Sequence, residues 1–214
     1  MAEAAPEGTE LPIFELPLAA LPTERVPLHI FETRYQLMVA HCLEHDSAFG
    51  IVLRTDAGAR SVGCAVGISE VLERFDDGRL NILVTGDWRF RVLERHEGTD
   101  FPTGTVERLS DEPTDADPGA AQTAFRKLLE AVGSDAEPSG GIGSAYEIAG
   151  RVEMPVEAKQ RLLEIDSEAG RLKLLCEILD ELAEQVGRSR KLAERARGNG
   201  HAPIEGLQPP ETGS

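Results

Sequence analysis

Cationic side chains are scarce in this chain, and so are aromatics and cysteines. Lys and Arg number 22 against 38 Asp and Glu, for a formal net charge of −16. A field of that sign repels nucleic-acid phosphates and anionic lipid surfaces and favours solubility. Aromatic residues are 5% of the 214, while 41% are hydrophobic, so the core must be mostly Leu, Val, Ile and Ala. Cys42, Cys64 and Cys176 are widely spaced, with no C-x-x-C pair. That pattern suits reduced thiols in a cytoplasmic protein and argues against a disulfide framework. No apolar run approaches the ~18 residues that span a bilayer. The acidic opening M-A-E-A-A-P-E-G-T-E lacks the apolar stretch of a signal peptide. A soluble, cytoplasmic protein with no membrane partner is expected.

Catalytic signatures are missing too. A phosphate-cradling loop needs G-x-x-x-x-G-K-[ST], and the chain has no Gly-Lys dipeptide. No G-x-S-x-G nucleophile elbow occurs either. His41 and His45 stand four apart on a helical segment and could share a metal. The intervening Cys42, Leu43 and Glu44 do not make H-E-x-x-H, and both histidines fall at the polar margin of the helix. They read as a solvated flank, so neither a metal nor a cofactor is expected.

What is present is a β-rich first half followed by helices. Residues 1–10 form a lead-in expected to be disordered. Leu11 to Leu18 is apolar but proline-broken, which suits an edge strand. After V-P-L-H-I-F at Val26 to Phe31, Thr33 is a plausible helix N-cap. Tyr35, Met38, Val39, Cys42 and Leu43 then share one face. Strand-like runs follow at Phe49–Leu53, Val62–Phe75, Leu80–Thr85 and Thr105–Leu109, with Gly63 and Gly67 as possible bulge or close-approach points and Asp77-Gly78 as a tight turn. Trp88, Phe90 and Val92 alternate with Arg89 and Arg91, as in a half-buried strand.

The break at Asp111 to Gly119 reads as a linker between a β-rich unit, residues 11–110, and a helical unit, residues 120–197. Within the latter, Ala120–Val132, Ala145–Val152 and a stretch from Pro155 to about Ile165 read as helices, with a Gly/Ser/Pro loop at Ser134–Ser144. Ser167 can cap the last helix. Its Leu172, Leu175, Leu179, Leu182 and Val186 form an a/d seam, suited to packing within the chain or, alternatively, to a homodimer through helix 167–197. Residues 198–214 are expected to be a disordered tail.

The order and spacing of several elements resemble the amino-terminal, substrate-binding domain of Lon protease. They are L-P-I-F-E-L-P-L from Leu11, P-L-H-I-F-E-x-R-Y at Pro27 to Tyr35, M-V-x-x-C-L at Met38 to Leu43, F-G-I-V-L from Phe49, G-x-x-R-F at Gly86 to Phe90 and K-Q-x-L-L-E at Lys159 to Glu164. One departure is visible. The family usually carries an F-P-G-type turn before the P-L-H-I-F segment, where this chain has Leu21-Pro22-Thr23-Glu24-Arg25. The change is expected to alter a surface loop more than the core.

The resemblance implies an α+β chain: a PUA-like β-barrel or sheet with one inserted helix, then a helical bundle. It implies recognition of exposed apolar segments of unfolded or partner proteins, in a stand-alone form without Lon's ATPase and Ser-Lys protease domains, hence a binding module and not an enzyme. PUA-like folds elsewhere hold RNA or small molecules, which is the alternative. The acidic balance and the lack of Lys/Arg clusters with interleaved aromatics count against nucleic acid. Phe31, Glu32, Trp88 and Arg89 are the candidate peptide-binding residues. Glu32, Arg34, Arg89 and Glu94 could supply acid/base pairs, but the competing reading for Arg34 and Arg89 is structural ion pairs or backbone hydrogen bonds at strand ends. For Trp88 it is core filling.

Overall fold

The computed structural model describes residues 8–97, 100–111, 115–134 and 143–198. The expected lead-in up to residue 7, most of the loop at 135–142 and the tail at 199–214 lie outside them.

Among the described residues, six strands make one mixed sheet in the order β2-β5-β4-β3-β1-β6, and a further β5–β6 pairing closes it into a barrel. These are β1 (Thr9–Leu16), β2 (Arg25–Ile30), β3 (Phe49–Thr55), β4 (Gly58–Arg74), β5 (Leu80–His96) and β6 (Thr103–Leu109), with helix α1 (Thr33–His45) inserted between β2 and β3. The helices described after it are α2 (Gly119–Val132), α3 (Ala145–Ala149), α4 (Val156–Glu164) and α5 (Glu168–Gly198). The chain is α+β, as expected.

β1 is not the edge strand that its prolines suggested, and it begins at Thr9. Its first half, Thr9 to Pro12, pairs antiparallel with β6, and its second half, Ile13 to Leu16, pairs parallel with β3. Pro12 stands where one partner gives way to the other, so its missing N–H interrupts neither ladder badly. The open end of the sheet is β2, which among the described residues bonds only to β5 and carries Pro27, a residue that blunts a free edge.

Helix α1 buries Tyr35, Met38, Val39 and Cys42 as the spacing predicts, but Leu43 is exposed. Thr33 is its first helical residue and not its cap. Glu32 takes the N-cap position with extended backbone, and its carbonyl accepts from the amides of Tyr35 and Gln36, both at 3.0 Å. The Asp77-Gly78 turn is present, with Gly78 at φ +88°. The two runs after it are one continuous strand, β5, since Gly86 stays in the ladder with β4.

Two apolar clusters result. The barrel interior holds Leu11, Ile13, Val52, Ala65, Phe90, Val92 and Val106. Side chains built as alanine at Gly50 and Gly63 would lie 2.5 and 2.7 Å from the tip of Phe90, so both glycines make room for that ring. Nothing stands within 4 Å of Gly67. The larger cluster runs from the outer sheet face and α1 (Phe14, Ile30, Met38, Ile51) into the helices (Phe125, Tyr146, Leu162, Leu175). Ser167 Oγ accepts the Gly170 amide at 3.2 Å, the expected cap for α5. Leu172, Leu175 and Leu179 of the seam are buried in this cluster, with Leu182 and Val186 packed at its margin. The Leu172–Leu179 part of the seam is thus occupied within the chain.

The Leu21–Glu24 turn is not a surface loop. Leu21, Pro22 and Glu24 are buried, and only Thr23 is exposed. The Glu24 amide donates to the Leu21 carbonyl at 3.1 Å. Pro22 then occupies the second turn position and Thr23, at φ +67°, the third, where a type II turn needs positive φ. The Glu24 carboxylate accepts the Leu21 amide at 3.0 Å and pairs with Lys159 of α4, tying the turn to the helical half.

Candidate functional site

Period-two alternation in β2 sends Leu28 and Ile30 into the core and leaves Arg25, Pro27 and His29 exposed. Phe31 follows at the strand end with 62% of its surface exposed. Its ring lies 6.0 Å from the His29 ring, which meets Phe75 edge-on at 6.1 Å. Beside them a cleft of about 510 Å³ is lined by Pro27, His29, Leu72, Glu73 and Asn81, with Leu28 and Ile82 beneath; Leu72 is 50% exposed. A polar rung crosses the three strands: His29 Nδ1 donates to Asn81 Oδ1 at 2.7 Å, and Asn81 Nδ2 donates to Glu73 Oε2 at 2.9 Å. The result is a partly aromatic surface of exposed apolar side chains with a polar seam, suited to holding side chains.

Of the four expected site residues, this surface includes Phe31 and, adjoining it, Glu32. The Glu32 carboxylate is held by Arg34 at 2.9 Å. Trp88 is elsewhere. It pairs with Ala65, beyond the bulge at Ala65/Val66, and packs on the barrel cluster 6.0 Å from Phe90, with the Arg108 guanidinium 5.1 Å from its ring centroid.

Arg89 is not a surface residue. It is 3% exposed, because the helical half covers the face of β5 from which it projects. Its Nη1 donates to the carbonyls of Leu163 (2.7 Å) and Ile165 (2.9 Å), and its Nη2 to Asp111. Arg171, 1% exposed, binds the same Asp111 carboxylate together with Glu168 and the Ile165 carbonyl, while its guanidinium lies 4.7 Å from the Tyr146 ring centroid. The structural reading of Arg89 therefore holds, and Asp111, expected to lie in a plain linker, is the carboxylate between two buried arginines.

His29, Leu72 and Phe75 were not picked out from the sequence. The alternation of β2 could have found His29. Leu72 carries no such signal, because register shifts at Ile68/Glu70 and Val71/Glu73 change which side chains of β4 face outward.

A cleft of about 710 Å³ lies between β1 and the start of α1 and includes Arg34, Arg54, Arg95, Glu15 and Asp100. Glu15 takes both Arg54 and Arg95, and Arg95 also donates to the Arg60 carbonyl at 2.6 Å. Its arginines are thus engaged internally. His41 and His45 are exposed with rings 4.2 Å apart, and His45 Nδ1 donates to the His41 carbonyl at 2.8 Å. Among the described residues no three His, Cys, Asp or Glu side chains gather in a metal-ligating group. Burial pushes the thiols of Cys42, Cys64 and Cys176 above their ordinary range, the opposite of an activated nucleophile. Among the described residues no helix is long and apolar enough to cross a membrane.

A family model described as the ATP-dependent protease La (LON) substrate-binding domain matches residues 10–181. The crystal structure of a Lon N-terminal domain protein from Xanthomonas campestris superposes with a TM-score of 0.62 at 26% identity, covering 78% of this chain and 96% of that one. The N-terminal domain of a Lon protease from the Mycobacterium avium complex shares the fold, with a TM-score of 0.60 at 19% identity over 80% of this chain and 98% of that one. This chain belongs to the Lon substrate-binding domain family, a family of recognition domains and not of catalytic ones.

Proposed function

We propose that this protein binds exposed apolar segments of unfolded or partner proteins, in the cytoplasm, through the solvent-facing side of the β2–β5–β4 region, opposite Leu28 and Ile30. The observation that carries this reading is the exposure of Phe31 and Leu72 around the His29–Phe75 pair. Large apolar side chains grouped at a surface cost solubility and mark interaction sites. An aromatic ring anchors a partner at small entropic cost. Pro27 removes a donor from the free edge of β2, so recognition rests on side-chain contacts more than on an added strand.

The test is fluorescence anisotropy with a reduced, carboxymethylated protein that cannot refold, beside the same protein in its native state and a single-stranded RNA. The unfolded form should bind, the native form should not, and Phe31→Ser with Leu72→Ser should weaken binding about tenfold without lowering the melting temperature. Binding of RNA at physiological salt with no binding of the unfolded protein would overturn the reading.

A further inference from the structure

We infer that the groove between α2 and α5 is a second docking surface, one that takes an apolar segment carrying Lys or Arg side chains. The inference rests on the reading that the chain binds protein segments, but on different residues.

The groove holds about 460 Å³. Ala120 of α2 and Ala169 of α5 are too small to fill the space between the helices, and Leu172 and the half-buried Cys176 complete an apolar floor. The groove margins carry Asp117, Glu177 and Asp180, against one base among the lining residues, Lys173. Asp180 pairs with Lys127 at 3.5 Å with both side chains more than half exposed. An ion pair of that kind is weak and readily exchanged for an incoming cation.

An apolar floor under an acidic margin is complementary to an amphipathic, cationic segment. The charge of the whole chain points the same way. A field of −16 draws cationic segments in and repels anionic ones. It also disfavours a second copy of this chain as the occupant. The Phe31 surface offers an uncharged aromatic anchor, whereas this groove discriminates by sign.

The experiment compares labelled peptides of equal length and apolar content with net positive, zero or net negative charge, titrated against the whole chain at low salt. The positive peptide should bind about tenfold more tightly than the negative one, and the preference should shrink as salt is raised. Glu177→Lys with Asp180→Lys should abolish the preference. Glu44→Lys with Glu94→Lys, the same change of net charge at exposed positions away from the groove, should leave most of it. Ala120→Trp, which fills the groove from an exposed position, should weaken the positive peptide and spare the unfolded protein. Equal losses in the two charge variants would assign the preference to the overall field and overturn the proposal, as would unchanged binding in Ala120→Trp. Phe31→Ser with Leu72→Ser tests the other surface, so either reading can fail while the other stands.

Discussion

Thr23 donates its amide to the Gly86 carbonyl at 2.9 Å while its own backbone is held at φ +67°. A β-branched residue in the left-handed region is strained, and the surrounding bonds keep it there. Thr23→Gly should relieve that strain. After the added chain entropy of glycine is subtracted, the gain should be about 1 kcal/mol, or a rise of about 2–4 °C in melting temperature. Scanning calorimetry gives the answer, and a lower melting temperature would show the turn to be unstrained. Gly86→Ala should act in the opposite sense. A Cβ there would collide with the Leu21 carbonyl oxygen, which is backbone and cannot swing away, so a loss of about 3 kcal/mol is expected.

Asp111→Asn should destabilise the protein by about 2 kcal/mol, measured by urea denaturation. It removes the carboxylate shared by two buried guanidiniums, and an uncompensated buried charge is costly. The partial exposure of Asp111 and the remaining partners of Arg171 moderate the loss. Asp180→Asn, which breaks the exposed pair with Lys127, should stay within about 0.5 kcal/mol. Similar costs for the two changes would deny Asp111 its bridging role.

Gly50 and Gly63 both face Phe90, but they differ in what else they face. A Cβ at Gly50 meets chiefly the Phe90 ring, whereas one at Gly63 also meets the Ile51 carbonyl oxygen at 2.5 Å. Truncating the ring should therefore rescue one and not the other. In a double-mutant cycle, Gly50→Ala with Phe90→Leu should cost at least about 1 kcal/mol less than the sum of its parts, while Gly63→Ala with Phe90→Leu should recover much less. Equal coupling in the two cycles would contradict this packing.

Thiol accessibility should be graded. Cys42 and Cys64 are buried and Cys176 is half-buried. A disulfide reagent should modify Cys176 first in the native protein, at alkaline pH because burial raises its pKa, and should reach Cys64 only on unfolding. Rapid labelling of Cys64 would imply that the core opens near Gly86.

Most elements were legible from local pattern. The face of α1, the Asp77-Gly78 turn and the α5 seam each depend on spacing that neighbours in sequence decide. Arg89 was misplaced as a surface candidate because alternation reports two faces of a strand and not which of them a distant helix will cover. The same limit explains Asp111, whose segment looks like a linker until Arg89 and Arg171 are brought to it. Thr23 was visible as a departure from the family turn, but the buried carbonyl contacts that hold it belong to Gly86 and Leu21. Of the candidate surface, Phe31 could be named from its segment. Leu72 could not, since the bulges of β4 decide where it points.

The divided partnership of β1 bears on how the chain assembles during synthesis. Thr9 faces Val106, and Pro12 faces Thr103, so the barrel cannot close until β6 has left the ribosome. Contacts so distant in sequence make closure slow. Through that interval the Thr9–Pro12 half of β1 is an open edge of a growing sheet, the kind of surface on which nascent chains aggregate. Pro12 lacks a donor at the end of that edge. A residue with little role in the closed barrel thus withholds a donor from that edge for as long as β6 is missing.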